Sequence, residues 1–139
     1  RMNYLQKLYN ISQKQTKNII GLMSGTSLDG LDIALCEIES FGLKTKIKVK
    51  KFTSIPYDET VKNKIKLVFA QKQVSLEHLT LLHNFLGNLF AEWILKTLKE
   101  WQISVSDIDC IASHGQTVFH APKRLHQNDD YGNATLQIA

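Results

Sequence analysis

Three observations in the sequence predict a mixed α/β layer. Strand-like runs follow one another across residues 18–52 with only short turns between them, two amphipathic helical stretches fill residues 58–101, and an apolar run at residues 108–113 leads into a glycine-containing motif. Strands, then helices, then a returning strand suit a sheet with its long helix crossing back over it.

Residues 18–23 are almost wholly apolar, as in a strand buried on both faces. They end in Ser24-Gly25-Thr26-Ser27-Leu28-Asp29-Gly30, a cluster of small and turn-forming residues. Leu31, Ile33 and Leu35 then alternate with Asp32, Ala34 and Cys36, giving a second strand that continues to Ile38. Phe41-Gly42 makes the next turn and residues 43–52 the third strand, which completes an antiparallel meander. Pro56 closes this region. Asp58 suits the N-cap of a helix reaching Ala70, with Val61, Ile65 and Val68 as its inward stripe. Ser75 caps a longer helix in which Leu79, Leu82, Leu86, Leu89, Phe90, Trp93 and Thr97 recur at three- and four-residue steps. That face needs a sheet to cover. Two short strands, residues 118–120 and 135–138, are expected around a polar loop at residues 123–133.

The chain has 139 residues, of which 43% are hydrophobic and 22% charged, the balance of an ordinary globular domain. No apolar run approaches the roughly 20 residues that cross a bilayer. Residues 1–17 are polar and mixed, without the apolar core of a secretory signal, and read as a short leader, partly helical or frayed. The formal charge of +4 comes from lysines that alternate along a strand (Lys44, Lys46, Lys48, Lys50) or sit on a helix (Lys62, Lys64, Lys66). No aromatic residues interleave with them to stack bases, so they read as solvated faces and not as a nucleic-acid site. Cys36 and Cys110 each lie in an apolar run without Cys-x-x-Cys spacing, so they read as buried free thiols in a reducing cytoplasm.

Two motifs carry chemistry. In residues 25–30, two glycines permit close approach to a ligand, Thr26 and Ser27 add hydroxyls, and successive amides in a tight turn form an anion-binding concavity. Asp29 or Asp32 can hold magnesium through water. No Gly-Lys-Ser/Thr follows, so this is not a Walker loop. Asp-Gly and Ser-Gly are also ordinary turn dipeptides, and a plain hairpin turn is the competing reading. The second motif, His114-Gly115-Gln116-Thr117-Val118-Phe119-His120-Ala121-Pro122, follows a buried strand at the end where α/β sheets bind ligands. Gln116 and Thr117 can read the hydroxyls and amide of a sugar. His114 and His120 lack a nearby third ligand, and metal ligation by them carries little weight.

Together these motifs resemble the anhydro-N-acetylmuramic acid kinase family. Residues 20–32 are similar to its N-terminal nucleotide signature nearly position by position; residues 113–118, His120, Pro122 and residues 135–138 match its second signature in order and spacing. The similarity runs from about Asn18 to Ile138. It implies a ribonuclease H-like (actin-like ATPase) first lobe: a three-stranded antiparallel meander extended by a further strand, covered by helices and truncated. The division would be a leader at 1–17 and the N-terminal part of the lobe at 18–139. It implies an enzyme that hydrolytically opens 1,6-anhydro-N-acetylmuramic acid and phosphorylates the 6-oxygen with ATP and Mg2+, in cytoplasmic cell-wall recycling.

Carried across by position, Gly25, Thr26, Ser27, Leu28, Asp29, Gly30, Leu31 and Asp32 would bind the nucleotide phosphates, with Asp29 at the metal. His114, Gln116 and Thr117 would lie near the sugar. Ala139 stands where the family usually has glycine, and the family's general-base aspartate belongs to a later motif that these residues do not include. No catalytic residue is therefore assigned, and the chain alone is expected to be inactive. A homo-oligomer or a completing polypeptide are the partners left open beside the small-molecule substrate. The alternative from another class is a non-catalytic module that uses the same hairpin to hold an anion or a protein.

Overall fold

The computed structural model describes residues 3–139. The elements run in the order α1 (Tyr4–Gln13), β1 (Thr16–Ser24), β2 (Gly30–Glu39), β3 (Lys46–Pro56), α2 (Glu59–Lys66), α3 (Leu76–Glu100), β4 (Cys110–Ala121), α4 (Lys123–His126) and β5 (Ala134–Ile138). Among the described residues the strands form one sheet in the order β3-β2-β1-β4-β5. β1, β2 and β3 make the expected antiparallel meander. β4 returns parallel to β1 after the helices, and β5 folds back antiparallel on β4. A meander followed by a helical crossover to a parallel strand is the ribonuclease H-like arrangement of an actin-like ATPase first lobe.

The helices start where their caps place them. The Asp58 carboxylate accepts the Val61 N–H at 2.8 Å, and the Ser75 hydroxyl oxygen accepts the His78 N–H at 3.2 Å. Each such bond satisfies one of the amides that a helix start leaves unpaired. α3 buries Leu82, Leu86, Phe90, Ile94, Thr97 and Leu98. Leu79, Leu89 and Trp93, also expected on the inner stripe, are only partly buried at its margin. Opposite them the sheet contributes Ile20, Leu22, Leu31, Ile33, Leu35 and Val118, each no more than 7% exposed. Burying side chains of this size contributes about 1.5–3 kcal/mol each, so this contact dominates the stability of the layer.

Five local features differ from the sequence expectation. α2 stops at Lys66, not Ala70, because Ala70 takes a left-handed conformation (φ 57°) and its N–H donates to the Val118 carbonyl on β4. β3 begins at Lys46, after a single 3-10 turn at Gly42–Lys44. As the edge strand, β3 leaves Ile47 and Val49 exposed along with its lysines, so it has no covered face over those residues. Residues 110–121 form one strand where two were expected, because β5 pairs with the second half and continues the ladder. Cys110 is exposed and Cys36 half-buried, so neither is the buried thiol expected.

The expected leader spans 1–17; Arg1 and Met2 lie outside the described residues. Of the rest, α1 is capped by Asn3 and buries none of its residues. The chain is pinned where β1 begins: the half-buried Asp109 carboxylate accepts the Lys14 ammonium at 2.5 Å and the Asn18 N–H at 2.9 Å. Burial alone would raise the Asp109 carboxyl, but these bonds outweigh it and hold the group below its ordinary range. Among the described residues no helix is long and apolar enough to cross a membrane.

Gly30 opens β2 directly against β3. A Cβ there would stand 2.1 Å from the Ile55 carbonyl oxygen, a backbone atom that cannot rotate away. Gly30→Ala is therefore expected to lower stability by about 1–3 kcal/mol, as overpacking does, read as a lower midpoint in chemical denaturation.

Candidate functional site

The bend between β1 and β2 holds residues 25–29. It is loosely closed, with the Leu28 N–H donating to the Gly25 carbonyl at 3.5 Å. Leu28 adopts a left-handed backbone (φ 56°) and is 7% exposed, its side chain packed into the core. Non-glycine residues pay about 1–3 kcal/mol for such a conformation, and core burial of the leucine offsets it. The result turns the one large side chain of the bend inward. Thr26, Ser27 and Asp29 are exposed. Among the described residues the Thr26 and Ser27 amides have no hydrogen-bond partner.

Beneath the bend lies a buried polar cluster built from three elements. Ser24 ends β1, Tyr57 follows β3, and Gln116 projects from β4; they are 1%, 3% and 0% exposed. Both carboxamide protons of Gln116 are engaged, by the Gly25 and Thr117 carbonyls, each at 3.0 Å. Its Oε1 therefore faces the hydroxyls. It accepts the Ser24 Oγ–H at 2.5 Å, which uses the only proton of that serine. The Tyr57 hydroxyl is 2.5 Å from Ser24 Oγ and 3.3 Å from Gln116 Oε1, so its single proton goes to the nearer oxygen and it donates to Ser24. The Tyr57 backbone N–H donates to the Asp29 carbonyl at 2.9 Å. Both ends of the bend are thus fastened while its tip is free. Burial pushes the Tyr57 phenol up to about 12, with the Ser24 bond pulling slightly the other way.

Gln116 faces inward because of a register irregularity. Leu22 pairs with Ser113 but Ser24 pairs with Gln116, so β4 gains one residue on β1 at this point. Gly115 absorbs it at φ +75°, where a Cβ would stand 2.8 Å from the Ile138 carbonyl oxygen. An extra residue switches the faces that follow it. His114, before the shift, stays exposed beside a hollow of about 480 Å³ on the sheet face away from α3, which Asp32, Met23 and Phe52 also line. Gln116 and Val118, after it, enter the core.

The residues expected at the site thus divide. Gly25, Thr26, Ser27 and Asp29 form the bend, with Gly30 at its tight exit; Asp32 and His114 share the open-face hollow. The side chains of Leu28 and Leu31 belong to the core, and those of Gln116 and Thr117 are buried. Ser24 and Tyr57 were not singled out from the sequence. The available signal was a tyrosine between Pro56 and the cap Asp58, whose polar end needs a partner once its ring is buried.

The unpaired tip amides and hydroxyls suit a phosphate group. Among the described residues there is no cluster of three or more His, Cys, Asp or Glu side chains to cage a metal. Magnesium is commonly held by one or two carboxylates together with substrate phosphates, which a bend carrying Asp29 can supply. A five-stranded mixed sheet with this order, covered by α3 and carrying an open, small-residue bend at the ends of β1 and β2, defines the class: a ribonuclease H-like lobe of the actin-like ATPase kind. Comparison with known proteins narrows it. The profile of the anhydro-N-acetylmuramic acid kinase family matches residues 17–139, and the chain belongs to that family. It is 51% identical over 135 residues to the anhydro-N-acetylmuramic acid kinase of Pseudoalteromonas translucida, covering 97% of this chain and 34% of that protein. It is 39% identical over 137 residues to the one of Caldanaerobacter subterraneus subsp. tengcongensis (99% and 34%), and 40% over 120 residues to one from Bacillus cereus (86% and 30%). The chain spans about a third of the length of the curated relatives it matches.

Two outcomes follow from the buried cluster. Gln116→Leu leaves the Ser24 and Tyr57 hydroxyls and the Gly25 carbonyl short of partners, and is expected to cost about 2–3 kcal/mol in a denaturant titration. The Tyr57 phenol keeps its proton to about 12 when folded, whereas the ordinary value is 10.0. Its contribution is intact below pH 10 and is lost as pH rises from 10 to 12. The chain should lose about 2–3 kcal/mol across that window relative to a Tyr57→Phe variant, measured by paired melts at each pH.

Proposed function

We propose that this chain supplies the nucleotide-phosphate side of a kinase that opens 1,6-anhydro-N-acetylmuramic acid and phosphorylates it to N-acetylmuramic acid 6-phosphate. The observation that carries the reading is the free tip of the β1–β2 bend: two unpartnered amides at Thr26 and Ser27, two hydroxyls, and Asp29 beside them. Family membership supports kinase chemistry and a sugar acceptor.

In this reading residues 25–32 hold the ATP phosphates. The Thr26 and Ser27 amides and hydroxyls donate to phosphate oxygens, and each bond to a charged group contributes about 1.5–3 kcal/mol. Asp29, with Asp32 behind it on β2, holds magnesium through water, and that ion when bound neutralises charge on the phosphates. Leu28 and Leu31 act from the core by fixing the shape of the bend. His114 meets the sugar from the open face. Gln116 and Thr117 are both buried, and Gln116 acts through the Gly25 and Thr117 carbonyls that it holds. A general base must lie within hydrogen-bond reach of the water it activates, and no side chain of this site is assigned that task. Turnover is proposed to need residues beyond those of this chain.

Titration of the isolated chain with Mg·ATP, followed by amide NMR, is expected to move the signals of residues 25–29 and to leave edge strand β3 unmoved. Asp29→Asn should weaken the magnesium-dependent part several-fold. A phosphotransfer assay with radiolabelled ATP and the anhydro-sugar should give no product from the chain alone; clear turnover would overturn that part of the proposal, and nucleotide-independent spectra would overturn the phosphate site.

A further inference from the structure

Tyr57 lies outside both sequence motifs, yet it is tied to the bend by two routes, one direct and one through other side chains. Its N–H holds the Asp29 carbonyl at 2.9 Å, at the exit. Its hydroxyl begins a chain of bonds that ends at the entrance: Tyr57 O–H to Ser24 Oγ at 2.5 Å, Ser24 O–H to Gln116 Oε1 at 2.5 Å, and Gln116 N–H to the Gly25 carbonyl at 3.0 Å. Distances give this chain its direction. Gln116 spends both amide protons on carbonyls, so its oxygen accepts; of the three contacts among the oxygens, the two at 2.5 Å take the two hydroxyl protons, Ser24 to Gln116 and Tyr57 to Ser24, and the 3.3 Å contact of Tyr57 with Gln116 is secondary. Among the described residues no buried side-chain nitrogen or oxygen lacks a partner. The ring is itself held, 5.8 Å from that of Trp93 on α3.

We propose that Tyr57 is a positioning residue for the phosphate-holding bend: acting through Ser24 and Gln116, its hydroxyl sets the orientation of the Gly25 carbonyl and with it the direction of the free Thr26 amide. This rests on the phosphate reading of the bend. A peptide plane turns as a unit, so fixing the Gly25 carbonyl fixes the Thr26 N–H on the other side of the same plane. Donors aimed before the ligand arrives need no reorganisation when it binds. The left-handed Leu28 and the Tyr57 N–H fix the far end in the same way. The tip is therefore held from below by groups that themselves touch no ligand.

Tyr57→Phe tests this, since it keeps the ring and the backbone N–H and removes only the hydroxyl. Without nucleotide, amide exchange at Leu28 and at position 57 should rise about tenfold, with shift changes confined to residues 24–30, while core amides such as those of Ile20 and Leu86 keep their relative protection. Mg·ATP should then bind about 3–10-fold more weakly to the variant than to the parent chain. Ser24→Ala, which breaks the same relay one link along, should reproduce both effects. A merely structural role would loosen the whole sheet together, and uniform exchange would overturn the proposal. So would an unchanged bend in both variants. If the parent chain itself shows no response to Mg·ATP, the phosphate reading fails and the ligand-positioning role falls with it. Localised exchange would then show only that the relay orders the bend.

Discussion

Three strands of the sheet meet at one buried hydrogen-bonded contact, and the geometry of the candidate site follows from it. Ser24 leaves β1, Tyr57 leaves β3 and Gln116 sits on β4, separated by up to 92 residues in the chain and within 3.3 Å of one another in the fold. In a buried setting an unpaired hydroxyl or carboxamide is costly, so the three groups constrain each other's positions closely. The bend above inherits that constraint at Gly25 and Asp29. The backbone carbonyls at the base of the bend are occupied, while the Thr26 and Ser27 amides at its tip stay open.

The sheet register matters as much as the bonds. One additional residue in β4, absorbed at Gly115, divides His114 from Gln116 and gives them different tasks. A regular strand would have presented both on one face. The irregularity keeps the imidazole on the open face with Asp32, and sends the carboxamide into the core where it reaches the bend. Glycine is needed there for two reasons, its positive φ and the closeness of the β5 backbone.

Burial also explains which parts of the fold were readable early. The α3 stripe was plain because a helix over a sheet must repeat its apolar residues every three or four positions, and Leu82, Leu86 and Phe90 do lie inward. The caps Asp58 and Ser75 were plain because few side chains can accept a bond from a first-turn amide. The end of α2 was not, because it is set by a bond from the Ala70 amide to Val118, a partner 48 residues away. The exposure of Ile47 and Val49 was hidden for a similar reason: alternation suggests a covered face, but only strand order makes β3 an edge.

From residue order alone came the mixed α/β class, the antiparallel meander, the bend at residues 25–30 and the resemblance that the family profile bears out. These depend on short-range periodicity, turn chemistry and motif spacing, all of which are local. Three-dimensional contact decided the rest: that Gln116 turns inward, that Tyr57 anchors the bend, and that Leu28 fills the core beneath it. Those outcomes depend on register and on pairing between distant strands, and neither is encoded in any short stretch of chain.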